Sequence, residues 1–235
     1  MEELIVLEDV RKVYKMDGVD TVALNGVDLT IKRGDCIAIM GPSGSGKSTM
    51  MHVMGCLDKP TSGRLFWEGK DVSRFSDDEL ANIRNKKMGF VFQSFYLLNT
   101  YTALQNVELP LIYMGLSAKE RREKARKLLE KMSLEDRINH RPTQLSGGQQ
   151  QRVAVARALA VDPVVLLGDE PTGNLDSKAS REIMELITNL HKEGLTIVIV
   201  THERDIAEYA HKIIHFADGK VQSIEEKSWI KGGIE

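Results

Sequence analysis

The stretch Gly41-Pro42-Ser43-Gly44-Ser45-Gly46-Lys47-Ser48-Thr49 constrains the fold most, because it meets every fixed position of the phosphate-loop pattern G-x-x-x-x-G-K-[ST]. Just before it, Cys36-Ile37-Ala38-Ile39-Met40 is an unbroken apolar run, the pattern of a strand buried on both faces. Just after it, Thr49 to Leu57 contains no proline and reads as a helix. The loop is therefore expected between a buried strand and a helix N-terminus, the context that gives the pattern its meaning. Gly41, Gly44 and Gly46 let the backbone curl so that successive N–H groups face inward, aligned with the positive end of the helix dipole. Such a nest fits polyphosphate. Lys47 is expected to reach the β- and γ-phosphates, and the Ser48 hydroxyl to ligate Mg²⁺.

A chain of 235 residues can bury a large core and suits one α/β domain or a core with an inserted lobe. The formal net charge of −2 gives no whole-chain attraction to nucleic acid. Cys36 and Cys56 have no second pair beside them, so neither a zinc site nor a disulfide framework is indicated, and a reducing compartment is the simpler expectation. No secretory signal opens the chain, and no apolar stretch approaches the roughly 20 residues that span a bilayer. Any membrane role is expected to be peripheral.

Along the chain, 4–14 and 22–31 are rich in β-branched residues with partial alternation, as in antiparallel strands. Arg64 to Trp67 reads as a short strand. Ser76 and Glu79 form a capping box that starts a helix to about Lys86, and Met88 to Gln93 reads as a strand. Residues 94–160 change character, with long helical patterns and little strand propensity, which suggests an inserted helical lobe. Within it, Ser117 and Glu120 form a second capping box, and Ala125, Leu128, Leu129 and Met132 give the following helix a packed face. The basic run Arg121, Arg122, Lys124, Arg126 and Lys127 is interleaved with Glu120, Glu123 and Glu130, and reads as the solvated face of that helix. Leu145-Ser146-Gly147-Gly148-Gln149 opens a further helix to Ala160.

The β-pattern returns at Val164-Val165-Leu166-Leu167-Gly168, a buried strand that delivers Asp169 and Glu170 at its carboxyl end. Asp176 is placed to cap a helix that Gly194 ends. Thr196 to Val200 is another β-branched strand, leading to Thr201 and His202, and 213–217 with 220–224 reads as a hairpin. The α/β core with its β-lobe is thus expected over 1–93 and 161–224, the helical lobe over 94–160 and an uninformative tail over 225–235.

Nucleotide hydrolysis needs phosphate contacts, a metal ligand set, a positioned water and a proton acceptor. Asp169, after its apolar run, has the Walker B pattern and offers a hard oxygen to Mg²⁺; the adjacent Glu170 can polarise a water. Gln93 ends a strand and His202 follows one, but on spacing alone a histidine there is more often a structural hydrogen-bonder.

Gly41 to Ser48, Gln93, Leu145 to Gln149, Leu167-Gly168-Asp169-Glu170-Pro171-Thr172, Asn174-Leu175-Asp176 and His202 together resemble the nucleotide-binding subunit of an ATP-binding cassette (ABC) transporter. The resemblance covers almost the whole chain, with motifs in family order; Leu145 to Gln149, the signature, is the most family-specific. It implies a P-loop NTPase (RecA-like) core with an antiparallel β-lobe and an inserted α-helical lobe. It implies that Gln93 bridges Mg²⁺ and the helical lobe, that Asp176 belongs to the D-loop, that His202 contacts the γ-phosphate and that Tyr14 stacks on adenine. Catalysis would fall to Glu170, His202, Gln93 and Lys47, with Ser43, Gly44, Ser45, Gly46 and Thr49 in the phosphate nest. Mg²⁺ would be held by Ser48, Gln93 and Asp169. Ser146, Gly147, Gly148 and Gln149 would receive, in trans with Asp176, the γ-phosphate bound to a second copy, so that ATP joins a homodimer.

The same resemblance implies a separate integral-membrane permease and a place on the cytoplasmic side of the membrane, with no nucleic-acid partner. Ser94 to Met114, with Phe95, Tyr96, Leu97, Leu98 and Tyr101, is either the contact surface for that permease or an apolar inter-lobe core. Gly55 to Thr61 and Asn106 to Leu111 are similar to the lipoprotein-releasing and macrolide-exporting (LolD/MacB-type) branch. A cell-division-type regulator of a membrane partner and a soluble repair or translation ATPase are the alternatives within the family. Gly168 departs from the family pattern, which more often has a larger residue there, and is expected to loosen the strand end slightly.

Overall fold

Two kinds of apolar pattern sort the strands into two sheets in the computed structural model, which describes residues 2–16 and 18–227. The alternating, long strands β1 (Glu3–Met16) and β2 (Val19–Lys32) pair antiparallel with each other, and β1 also pairs with β4 (Ser62–Trp67), which carries the short β5 (Lys70–Asp71). The unbroken runs form the second sheet, in the order β10-β9-β3-β8-β7-β6. Here β3 (Cys36–Met40), β6 (Met88–Phe92), β7 (Val165–Asp169), β8 (Thr196–Thr201) and β9 (Lys212–Ala217) run parallel, and β10 (Lys220–Glu226) returns antiparallel on β9.

The parallel strands read as unbroken because each face of their sheet has its own core. Ala38, Leu166, Ile197, Ile199 and Ile213 pack on one face with α3 (Ala103–Tyr113), α4 (Ala118–Lys131), α5 (Gly147–Leu159) and α6 (Ser177–Lys192). Their chain neighbours Ile37, Ile39, Val165, Leu167, Val198 and Val200 point to the other face, against α1 (Lys47–Met54), α2 (Asp77–Lys87) and the antiparallel sheet. Parallel strands that are neighbours in space end at one edge, and there Met40, Thr201, Asp169 and Phe92 deliver the loops in which the candidate residues lie.

Local chemistry sets the helix ends. Ser76 Oγ accepts from the Glu79 N–H and Glu79 accepts from the Ser76 N–H, the reciprocal box expected there, and Ser117 with Glu120 repeats it. A third box, Thr102 with Gln105, starts α3. The helix after the phosphate loop begins at Lys47 rather than Thr49 and stops at Met54 rather than Leu57, because Cys56 takes a left-handed φ of 54°. The strand expected to end in Gln93 stops at Phe92.

The tail boundary at 225 also shifts. Strand β10 continues to Glu226, held by Arg204 donating to both oxygens of Glu225 at 3.0 and 2.9 Å. Residues 228–235 lie outside the described residues. The expected loosening at Gly168 is absent: β7 pairs without a register break on both sides through Asp169. Gly168 is buried and its φ is not left-handed, so the ladder absorbs it. Among the described residues no helix is long and apolar enough to cross a membrane.

The segment Ser94 to Met114 divides into buried and exposed apolar residues. Leu104, Val107 and Leu111 are buried in the helical core, whereas Tyr96, Leu98, Tyr101 and Tyr113 are exposed. Within α3, periodicity turns Leu104, Val107 and Leu111 inward and leaves Ile112 and Tyr113 exposed, whereas Tyr96, Leu98 and Tyr101 lie in the loop before it.

Candidate functional site

The phosphate loop leaves β3 at Gly41 and enters α1 at Lys47, with Gly46 at the N-cap in a left-handed conformation (φ 101°). It is held from behind by the chain itself. The Gly219 N–H donates to the Ser45 carbonyl at 3.0 Å, and a Cβ on Gly41 or Gly46 would stand 1.9 Å from the Phe216 carbonyl or 2.2 Å from that of Ala23. Gly44 has a φ of 78° with open space where its Cβ would be, so the nest is shaped by backbone on one side and accessible on the other. Thr49 follows in the first turn of α1. Ser43 is exposed, and Ser45 is buried with its hydroxyl unpartnered by protein.

Lys47 is only 7% exposed and donates to the Pro42 carbonyl at 2.7 Å. Burial lowers its pKa, opposed by the negative charges of Glu170 and Asp169. Ser48 Oγ donates to Asp169 Oδ1 at 3.1 Å, so two hard oxygens 121 residues apart in the chain meet. Burial raises the Asp169 pKa, with the Ser48 hydrogen bond and the charges of His52 and Lys47 acting against it. A pair of oxygens with room for water and phosphate suits Mg²⁺, which is seldom caged wholly by protein. The residues present therefore fit a magnesium–nucleoside triphosphate.

Glu170 lies in the left-handed region at φ 47°, a conformation rare for a non-glycine residue and concentrated at functional sites. Its N–H donates to Val200 O at 2.9 Å, across to β8, and its Oε1 lies 2.7 Å from His202 Nδ1. Gln93 is brought to the same edge but is turned toward Asn174: Gln93 Nε2 donates to Asn174 Oδ1 at 3.3 Å, and Asn174 Nδ2 donates to the Gln93 carbonyl at 3.0 Å. Tyr14 is half-buried, with its hydroxyl donating to Asp58 Oδ2 at 2.8 Å and Lys12 Nζ 5.0 Å from its ring centre.

The signature residues do not join this cluster. Ser146 caps α5 and forms a box with Gln149, placing Gly147 and Gly148 in the first turn, where N–H groups have no intrahelical acceptor. Asp176 caps α6 by accepting from the Lys178 and Ala179 N–H groups at 2.9 Å. The two helix N-termini share a polar cavity of about 490 Å³ lined by Ser146, Gly147, Gly148, Gln149, Asn174 and Asp176 among others, and no phosphate-loop residue lines it.

Several contacts that shape the site escaped the sequence reading. Asp58 fixes Tyr14, Asn174 fixes Gln93, and Arg157 of α5 donates to the carbonyls of Phe95 at 2.7 Å and Tyr96 at 2.5 Å. Gln151 of α5 is fully buried and donates to the carbonyls of Phe92, at 3.3 Å, and Pro171. One signal was present: Gln151 falls on the helix face of Ala154, Val155 and Ala158, a polar residue in an apolar row.

The ABC transporter family profile matches residues 24–173. An uncharacterised ABC transporter ATP-binding protein of Thermotoga maritima is 52% identical over 232 residues, covering 99% of both chains. The macrolide export ATP-binding/permease protein MacB of Brucella melitensis is 50% identical over 220 residues, covering 94% of this chain but 34% of its own length. Among solved structures, the ATP-binding cassette MJ0796, a dimer in a post-hydrolysis state bound to ADP and Pi, superposes with a TM-score of 0.88 at 48% identity, covering 95% of this chain and 98% of that one. With the family's fold and its motifs in place, the chain belongs to the ABC transporter family as an ATP-binding, ATP-hydrolysing subunit.

Proposed function

We propose that two copies of this chain close on two MgATP molecules and, on hydrolysis, reopen to drive a separate integral-membrane permease. The observation that carries this reading is that two anion-suited helix N-termini, one at the phosphate loop and one at Ser146, do not share a site: no phosphate-loop residue lines the cavity at Ser146. Each copy would bind ATP with its loop and offer its signature to the other. That MJ0796 forms a dimer supports the arrangement.

Within each site, Gly41 to Thr49 would wrap the phosphates, with Lys47 leaving the Pro42 carbonyl for the β- and γ-phosphates. Ser48 and Asp169, with Gln93, would hold Mg²⁺, which neutralises charge on the phosphate oxygens when bound. Glu170 would polarise the attacking water and His202 would face the γ-phosphate, while Tyr14 would stack on adenine. Ser146, Gly147, Gly148, Gln149 and Asp176 would complete the partner's site. The division into an α/β core with β-lobe and a helical lobe over 94–160 gives the moving parts.

The permease would dock on the groove lined by Phe90, Phe92, Tyr96, Leu109, Tyr113 and Arg157, which continues the exposed side of Ser94 to Met114. The chain would then act on the cytoplasmic face of a membrane. Likeness to MacB, in which the ATP-binding and permease parts are one protein, favours the export or lipoprotein-release branch. Ser146→Arg tests the central claim. It is expected to spare ATP binding by the monomer while abolishing dimerisation and turnover; normal ATPase activity in that variant refutes the role given to the signature.

A further inference from the structure

We propose that Gln151 is a positioning residue of the ATPase reaction: its one amide nitrogen ties the peptide just before Gln93 to the carbonyl of Pro171, the residue after Glu170. The inference rests on the roles proposed above for those two residues. Strands β6 and β7 pair in register up to Phe92 opposite Asp169, and there the backbone ladder ends. Past that point Phe92 O accepts from the Phe95 N–H at 3.2 Å, in the turn that carries Gln93. Gln151 Nε2 adds a donor from α5, to Phe92 O at 3.3 Å and to Pro171 O, and so joins the two strand ends.

Chemistry fixes the orientation of the amide. Both partners are carbonyls, which only accept, so the NH₂ end must face them. The consequence is that Oε1 is buried without a partner. Ala154, Val155 and Ala158 on the same helix face are apolar. An apolar side chain at 151 would remove the orphaned oxygen, so packing alone does not account for a glutamine here.

What the amide holds is informative. Phe92 O belongs to the peptide whose nitrogen is that of Gln93, and Pro171 follows Glu170, whose backbone is left-handed at φ 47°. Farther along α5, Arg157 grips the carbonyls of Phe95 and Tyr96, themselves left-handed at φ 57° and 47°. The helix that carries the signature at its N-terminus thus braces the chain on both sides of Gln93. Gln151 is the contact that extends the brace to the Glu170 loop, so displacement of α5 is transmitted to both strand ends together. The phosphate loop makes no part of this contact.

The test is steady-state ATPase kinetics on the full chain carrying Gln151→Met, which keeps length but removes the donor, with Gln151→Asn as the conservative partner. Gln151→Met is expected to lower kcat about 10- to 100-fold, as for a misplaced reacting group, with the KM for MgATP held within about twofold. Gln151→Asn retains an NH₂ that can reach one carbonyl and is expected to be faster than Gln151→Met. The proposal is overturned by an unchanged kcat, by KM rising in step with the loss of kcat, or by an Asn variant no faster than the Met variant. A Gln151→Met chain that does not fold also overturns it, since the amide would then hold the domain rather than the site. Absence of ATPase activity in the parent chain would instead defeat the functional reading on which the proposal stands.

Discussion

His202 Nδ1 lies 2.7 Å from Glu170 Oε1, and the two residues follow neighbouring parallel strands. With Glu170 as a carboxylate, which only accepts, Nδ1 is the donor of this pair. The side chain of His202 is 56% exposed and that of Glu170 25%, which places the imidazole at the rim and the carboxylate inside it. Glu170→Gln keeps the shape of this pair but removes the proton acceptor. Hydrolysis is expected to fall about 10²- to 10⁴-fold, the usual contribution of a general base, while ATP binding persists and an ATP-dependent dimer accumulates. Size exclusion with saturating MgATP checks this; a persistent monomer would sink the two-copy site.

Lys47 is buried and donates to the Pro42 carbonyl, and its charge is favoured by Glu170 and Asp169. Lys47→Ala removes a charge-assisted contact to phosphate of about 1.5–3 kcal/mol, which corresponds to roughly 10- to 100-fold weaker nucleotide binding. Calorimetric titration with ATP measures it. Unchanged affinity would mean that the ammonium never leaves Pro42 for the phosphates.

Most of this architecture was legible in the residue pattern because the informative signals are local. Unbroken runs such as Cys36 to Met40 and Val165 to Leu167 mark strands buried on both faces, and Ser76 with Glu79 marks a helix start. The phosphate loop and Asp169 could be placed at strand ends for the same reason. What the pattern did not carry is contact between distant segments. Nothing near Tyr14 in the chain announces Asp58, and nothing near Gln93 announces Asn174 at a separation of 81 residues. The left-handed φ of Cys56 that shortens α1 was hidden too, since no turn-forming residue occupies the position.

The Asp58 carboxylate makes a pH-dependent link between strand β1 and the end of α1. Burial would raise its pKa, but hydrogen bonds from Lys12, Tyr14 and the Lys59 N–H outweigh it and leave the pKa lowered. A carboxylate depressed in the folded state stabilises above its ordinary range, and that contribution is lost as pH falls through the folded value. At pH 7 Asp58→Asn is expected to cost about 1 kcal/mol, the size of a partly exposed charged contact. The parent should lose this margin on acidification below the ordinary carboxylate range, so the two denaturation midpoints converge there. A constant gap across pH would assign the stabilisation to packing instead of charge.

Glycines 41, 46 and 168 make opposite predictions although all three lie in sequence motifs. A Cβ on Gly41 would stand 1.9 Å from the Phe216 carbonyl, and one on Gly46 2.2 Å from that of Ala23, with a φ of 101° as a second obstacle. Backbone cannot rotate away as a flexible side chain can, so either alanine must push the loop off β9 or β2. Each is expected to cost about 1–3 kcal/mol and to weaken ATP binding, because the same displacement opens the nest. At Gly168 a Cβ would meet Pro171 Cγ at an ordinary 3.4 Å, and φ is not left-handed. Gly168→Ala is therefore expected to raise stability by about 0.4–1 kcal/mol through the unfolded chain, leaving Asp169 in register. Urea denaturation of the three variants, read beside ATP affinity, decides it: a destabilised Gly168→Ala would show that the strand end needs glycine after all, to keep Pro171 and hence Glu170 in place.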